Sequence, residues 1–158
     1  MIRTLVVSIT LFVAPLVSAD VLAAQAPPDS AAIRAVALDY AEGWYTGDSA
    51  RMTRALHPRL AKRIVMTRSG ESRLGDMTAA ELVQGTAQGG GSRTPQPRRQ
   101  ADVQILDIFQ NTASVRLTMA DWIDYMHVAK WNGRWVVINV LWEMKPRAGR
   151  TSPNAGSE

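Results

Sequence analysis

Several side chains in this sequence have types that could do chemistry. They are Tyr40, Trp44 and His57 in the first half, and Asp121, Asp124, Tyr125, His127 and Trp142 in the second. The chain has two histidines and no cysteine, which excludes thiolate catalysis, iron–sulfur clusters and cysteine-ligated zinc. Asp121, Asp124 and His127 are spaced by three, as metal ligands can be. Successive strand side chains alternate faces, however, so Asp121 and His127 point one way and Asp124 the other. Zinc and iron sites generally need three or more protein ligands, so no metal site is expected here. Asp121, Ile123, Tyr125 and His127 share one face. If that face is concave it lines a pocket with two hydrogen-bonding groups near its middle; otherwise it is an edge or a dimer interface. No Ser–His–Asp set is identifiable by spacing, and GGGS after residue 88 lacks the lysine and helix of a phosphate loop, so no cofactor is expected.

His57 closes the stretch GWYTGDSARMTRALHP, residues 43–58. Proline disfavours helical geometry in the residue before it, so a helix over Ser49 to Leu56 should stop at His57. There the imidazole can bond last-turn carbonyls or, if charged, meet the negative helix end. Capping needs no partner that the sequence fails to supply, so it is preferred here over ligand contact.

These residues need elements to position them. Asp29 or Ser30 can cap a first helix in which Ile33, Val36, Ala37, Tyr40 and Trp44 recur at helical spacing, and Gly47 can end it. Such a stripe normally faces a core. Met52, Ala55 and Leu56 give the second, short helix a buried side. Residues 60–68 fit a strand or a helical turn. Thr78 with Glu81 three residues later matches a capping box, which predicts a third helix from Thr78 to about Ala87. Three glycines and two prolines between 88 and 100 predict a mobile loop, either a lid or a long connection.

After residue 100 strands follow. Val103, Ile105 and Phe109 are expected on one face, and Ala113, Val115, Leu117 and Met119 alternate with polar partners. Asn132-Gly133 is a hairpin signal between a strand over 122–131 and a last one over 134–144. That last strand is apolar on both faces, so both should be covered. Trp135 and Trp142 fall on its opposite faces, making one of them a candidate for a dimer surface. Helices first and a curved antiparallel sheet afterwards define an α+β domain.

The chain of 158 residues accommodates one domain. Arg3, the apolar run from Leu5 to Val17 and Val17-Ser18-Ala19 follow the export pattern, which predicts a signal peptide over 1–19 and a periplasmic or secreted protein. The run is shorter than the roughly 20 residues of a spanning helix, so no stable membrane span is expected after cleavage. A flexible lead over 20–29, the domain over 30–145 and a disordered tail over 146–158 complete the organisation. The net charge of +4 lies largely in Arg51, Arg54, Arg59, Lys62, Arg63, Arg68 and Arg73. No nucleic-acid motif accompanies them, so they read as a solvated basic face.

The helix order together with GWYTGD, LHPRLAKR, MTAAELV and WNGRWVVINVLWE resembles the nuclear transport factor 2-like superfamily, and within it the SnoaL-like families and the one named "Putative lumazine-binding". The resemblance covers about Ile33 to Glu143. It implies a cone of three helices packed into a strongly bent sheet around a pocket, often dimeric through the outer sheet face. Leu56-His57-Pro58 resembles a recurrent feature of the lumazine-binding group. Ketosteroid isomerases of this superfamily use a helix-one tyrosine before a Gly-Asp pair, which Tyr40 ahead of Gly47-Asp48 resembles, and a carboxylate base about two dozen residues on. Here that neighbourhood reads Arg63-Ile64-Val65. Their second acid lies on a late strand, where this chain has Tyr125 or His127.

The missing base favours an exported small-molecule-binding domain, probed through Tyr40, Trp44, His57, Asp121, Tyr125, His127 and Trp142. The alternatives are a proton-transfer enzyme acting on a cyclic or carbonyl ligand, and a dimerising accessory module. A carboxylate deep in the pocket with a raised pKa would move catalysis ahead of binding.

Overall fold

Helix α1 (Asp29–Thr46) buries Ile33, Val36, Ala37, Tyr40 and Ala41, the apolar stripe expected from its spacing, and Trp44 continues it half-buried. This is a computed structural model describing residues 29–146; the leader, the lead up to residue 28 and the tail from 147 lie outside the described residues. Gly47 ends α1 with φ +73°, a left-handed conformation that costs glycine little. Asp48 then caps α2 (Ser49–Ala55), its carboxylate accepting the Arg51 N–H at 2.8 Å.

From Leu56 the chain is extended, and strand β1 runs from Leu56 to Arg68. His57 therefore lies in a strand and not at a helix end, because the extended backbone begins one residue before the position that Pro58 restricts. β1 returns through Ser69 and Gly70, both at positive φ, into β2 (Glu71–Thr78), a strand that the polar, charged composition of this stretch did not disclose. Thr78 caps α3 (Ala79–Ala87) in a complete capping box with Glu81.

The glycine-rich segment is docked and not a free loop. The Gly91 N–H donates to the Trp44 carbonyl at 2.9 Å, and the Arg99 guanidinium donates to the carbonyls of Thr94 and Ser92. It ends in a single tight turn at Gln96–Arg98 before the remaining strands, β3 (Ala101–Phe109), β4 (Thr112–Met119), β5 (Trp122–Trp131) and β6 (Arg134–Met144).

The six strands form one sheet in the order β2-β1-β6-β5-β4-β3, with the helices against its inner face. Four pairings are antiparallel; β1 lies parallel to β6, so the sheet is mixed where an antiparallel one was expected. Irregular pairing marks three places, and such bulges bend a sheet and shift its side-chain alternation. On β3 the shift between Ile105 and Asp107 leaves Phe109 67% exposed, off the face it was expected to share with Val103 and Ile105. On β6, Val137 pairs with Val128 and Asn139 with His127, so Ile138 is an extra residue. That insertion brings Trp135 and Trp142 to the same inner side, where opposite faces were expected; Trp135 is buried and its indole donates to Asp29 at 2.9 Å. The outer face of β6 is open at Leu141, which is half exposed. β4 alternates as expected, with Ala113, Val115, Leu117 and Met119 buried.

Candidate binding cavity

The inner face of the sheet and helix α1 leave between them a cavity of about 690 Å³. Tyr40 and Trp44 enter it from α1, Lys62 from β1, Trp122 from β5 and Trp142 from β6, while Met77 and Leu82 add apolar wall. The three indoles stand edge to face: Trp122 is 5.9 Å from Trp44 and 6.1 Å from Trp142, ring centre to ring centre. Offset and edge-on contacts are the favoured geometries for aromatic rings, so this wall is held without stacking the rings flat on one another.

Lys62 is the polar group at the centre of this wall. Between Leu56 and Ala61 the partner residues on β6 advance only from Val137 to Asn139, so β1 carries extra residues there and then resumes pairing with Lys62 opposite Val140. Val140 is fully buried, and Lys62 shares its side of the sheet. On β5, Asp124 pairs with Trp142 and shares its face with the buried Met126 and Val128. The two strands thus bring ammonium and carboxylate together: Lys62 Nζ donates to Asp124 Oδ1, and the Trp122 indole N–H donates to Asp124 Oδ2 at 2.8 Å.

Asp124 is wholly inaccessible and the Lys62 side chain is 6% exposed. Burial pushes the Asp124 carboxyl above its ordinary pKa, opposed by the Lys62 charge and the two hydrogen bonds. The same burial lowers the Lys62 pKa, opposed by Asp124. Each partner is what keeps the other charged in a dry site. The ammonium also lies 4.7 Å from the centre of the Trp142 ring and 5.5 Å from that of Tyr40, within the range of cation–π attraction. Burial and the nearby Asp124 charge push the Tyr40 hydroxyl well above its ordinary pKa of 10.0, so it remains a neutral donor.

At the mouth, Asp121 precedes β5 and is free of strand alternation. It accepts from Arg98 at 3.1 Å. Lys145 Nζ donates to Gln100 Oε1 at 2.8 Å and to the Met119 carbonyl at 2.6 Å. The Tyr45 hydroxyl ties the same region together, donating to the Gln100 carbonyl at 2.9 Å and accepting the Ala120 N–H at 2.8 Å.

Of the residues singled out in the sequence, Tyr40, Trp44, Asp121 and Trp142 surround this cavity; His57, Tyr125 and His127 do not. Tyr125 and His127 are on the outer face of β5, because Asp124, Met126 and Val128 take the inner one. Tyr125 is 48% exposed, and His127 Nδ1 is 3.3 Å from the Asn139 amide. His57 sits in the irregular stretch of β1, its ring edge-on to Trp131 at 4.8 Å and its Nδ1 accepting the Arg59 N–H at 3.1 Å. Sequence reasoning missed Lys62, counted there with the solvated basic residues, and Trp122. The available signal was the parity of Asp124 with Met126 and Val128, two apolar neighbours that mark its face as the buried one.

The family model described as "Putative lumazine-binding" matches residues 28–143, and the chain belongs to that family. Solved structures agree on the fold. An NTF2-like protein of unknown function from Shewanella baltica OS155 is 22% identical, with 75% of this chain and 95% of that one covered at a TM-score of 0.61. An NTF2-like protein with a cystatin-like fold from Novosphingobium aromaticivorans is 10% identical, covering 73% and 81% at a TM-score of 0.54. A ketosteroid isomerase-like protein from Erwinia carotovora atroseptica SCRI1043 is 11% identical, covering 77% and 100% at 0.52. No functionally curated protein matches the sequence.

Proposed function

We propose that this domain binds a small, flat molecule in the cavity between α1 and the sheet, and that it does so as a carrier or sensor and not as a catalyst. The observation behind this reading is the wall of Trp44, Trp122 and Trp142 around a space of about 690 Å³, a size within the range of small-molecule sites. Indole faces and edges offer a ring-shaped ligand large contact area at little cost in side-chain freedom. Family membership supports ligand binding of this kind.

The deep carboxylate that would favour catalysis exists in Asp124, with its pKa raised. Its lack of access supports binding over catalysis. Both its oxygens already accept hydrogen bonds, from Lys62 and from Trp122, and it has no accessible surface. A general base must come within hydrogen-bond reach of the proton it takes. Asp124 instead holds Lys62 in place.

Export is part of the proposal and rests on the leader pattern alone. Pairing of two copies through the outer sheet face is supported by Tyr125 and Leu141, which lie opposite each other in register and are about half exposed.

Native mass spectrometry of the protein, purified gently from its own host's envelope fraction, tests the proposal. A discrete mass excess over the denatured chain is the expected result. A bare chain that also gains no mass from a library of flat aromatic compounds would remove the carrier reading.

A further inference from the structure

Among the described residues, the charged side chains lining this cavity are mostly cationic. Asp124 has both oxygens engaged, and at the mouth one oxygen of Asp121 accepts from Arg98. An ammonium carries three N–H donors and Asp124 accepts one of them from Lys62. The Tyr40 hydroxyl belongs to the same wall and can donate or accept. Arg98 and Lys145 add two further cations at the rim, against the single carboxylate of Asp121. A wall of three indoles would otherwise suit a cationic ligand, since quaternary ammonium groups are recognised by such cages. Here the place over the Trp142 ring is already taken by Lys62, whose charge repels a second cation.

Resting on the reading of this cavity as a ligand site, we propose that its ligand is an aromatic or heteroaromatic anion, bound with its acidic group on Lys62 Nζ and its ring among Trp44, Trp122 and Trp142. A carboxylate or an ionised ring oxygen supplies the negative charge and the acceptors that match Lys62 in this mostly cationic lining. Asp124 is a positioning residue: it fixes the ammonium at the back of the wall, and Trp122 fixes Asp124.

Three probes of one ring system separate the possibilities in calorimetric titrations of the intact protein: naphthoate, naphthylmethanol and naphthylmethylammonium. The expected order is naphthoate tighter than naphthylmethanol by about tenfold or more, as hydrogen bonds to charged groups commonly give, with no detectable binding of the ammonium compound. The Lys62→Met/Asp124→Asn double variant leaves no buried charge unpaired. It should bind naphthoate and naphthylmethanol within a few-fold of each other. Equal binding of naphthoate and naphthylmethanol by the unaltered protein overturns the anion assignment but keeps the aromatic site. A naphthoate preference undiminished in the double variant overturns Lys62 as the anchor. Binding of none of the three overturns the site itself.

Discussion

The Lys62 ammonium is bonded to Asp124 on one side and lies 4.7 Å from the centre of the Trp142 ring on the other. One side chain is thus both half of a buried ion pair and part of a cavity wall. Its removal should show in stability before it shows in binding. Lys62→Met alone strands the Asp124 charge in a dry site, and breaking such a pair costs about 3–5 kcal/mol. Neutralising both ends, as Lys62→Met with Asp124→Asn, should cost far less than the two single changes added together, because no charge is left unpaired. Urea unfolding of the four proteins measures this; strictly additive losses would mean that the two groups do not depend on each other.

Gly91 and Gly85 approach the same indole from two sides, and alanine should have opposite effects at the two positions. A Cβ on Gly91 would stand 2.5 Å from Trp44 Nε1 and 2.6 Å from its Cδ1, so the ring or the loop must move. Overpacking of this kind costs roughly 1–3 kcal/mol. A Cβ on Gly85 meets only Trp44 at 3.9 Å, an ordinary contact inside α3. Gly85→Ala should therefore stabilise by about 0.5–1 kcal/mol through helix propensity. Melting temperatures check both, and Gly91→Ala should also weaken ligand binding, since Trp44 lines the cavity.

Acid should unfold the domain partly through two carboxylates in the first turns of α1 and α3. The Glu81 carboxylate accepts from the Thr78 backbone N–H and hydroxyl, which hold it below its ordinary pKa of 4.5; Lys130 and Trp135 do the same for Asp29, ordinarily 3.8. A depressed folded pKa means that the unfolded chain binds protons first. The stability these groups contribute is present above the ordinary values and is lost as pH falls from about 4.5 through the folded-state values. Thr78→Ala should lower stability by about 1 kcal/mol at neutral pH, and the difference from the unaltered protein should narrow in acid. Melting curves across that range would show it.

Much of the fold was legible in local patterns. The stripe from Ile33 to Tyr40, the Gly47 stop, the Thr78–Glu81 box and the Asn132-Gly133 turn are each decided within a few residues, and the structure follows them. What eluded the sequence depends on partners far along the chain. The parallel pairing of β1 with β6 and the extra residue at Ile138 decide which face of each strand is inner, and neither is written in the strands themselves. Parity correctly separated Asp124 from Tyr125 and His127. The apolar Met126 and Val128 on the Asp124 side, which mark that side as the inner one, went unweighed, so two residues of the outer face entered the candidate site and Lys62 was left out. His57 was misassigned for a smaller reason, one residue of helix end.

The five tryptophans give the most direct test, because the structure sorts them into two groups. Trp44, Trp122 and Trp142 line the cavity; Trp131 lies against His57 outside it, and Trp135 is bonded to Asp29. Each indole N–H gives its own proton–nitrogen NMR signal. Titrating the labelled protein with naphthoate should move the signals of Trp44, Trp122 and Trp142 and leave those of Trp131 and Trp135 in place. Five unmoved signals, or movement confined to Trp131 and Trp135, would contradict a ligand site between α1 and the sheet.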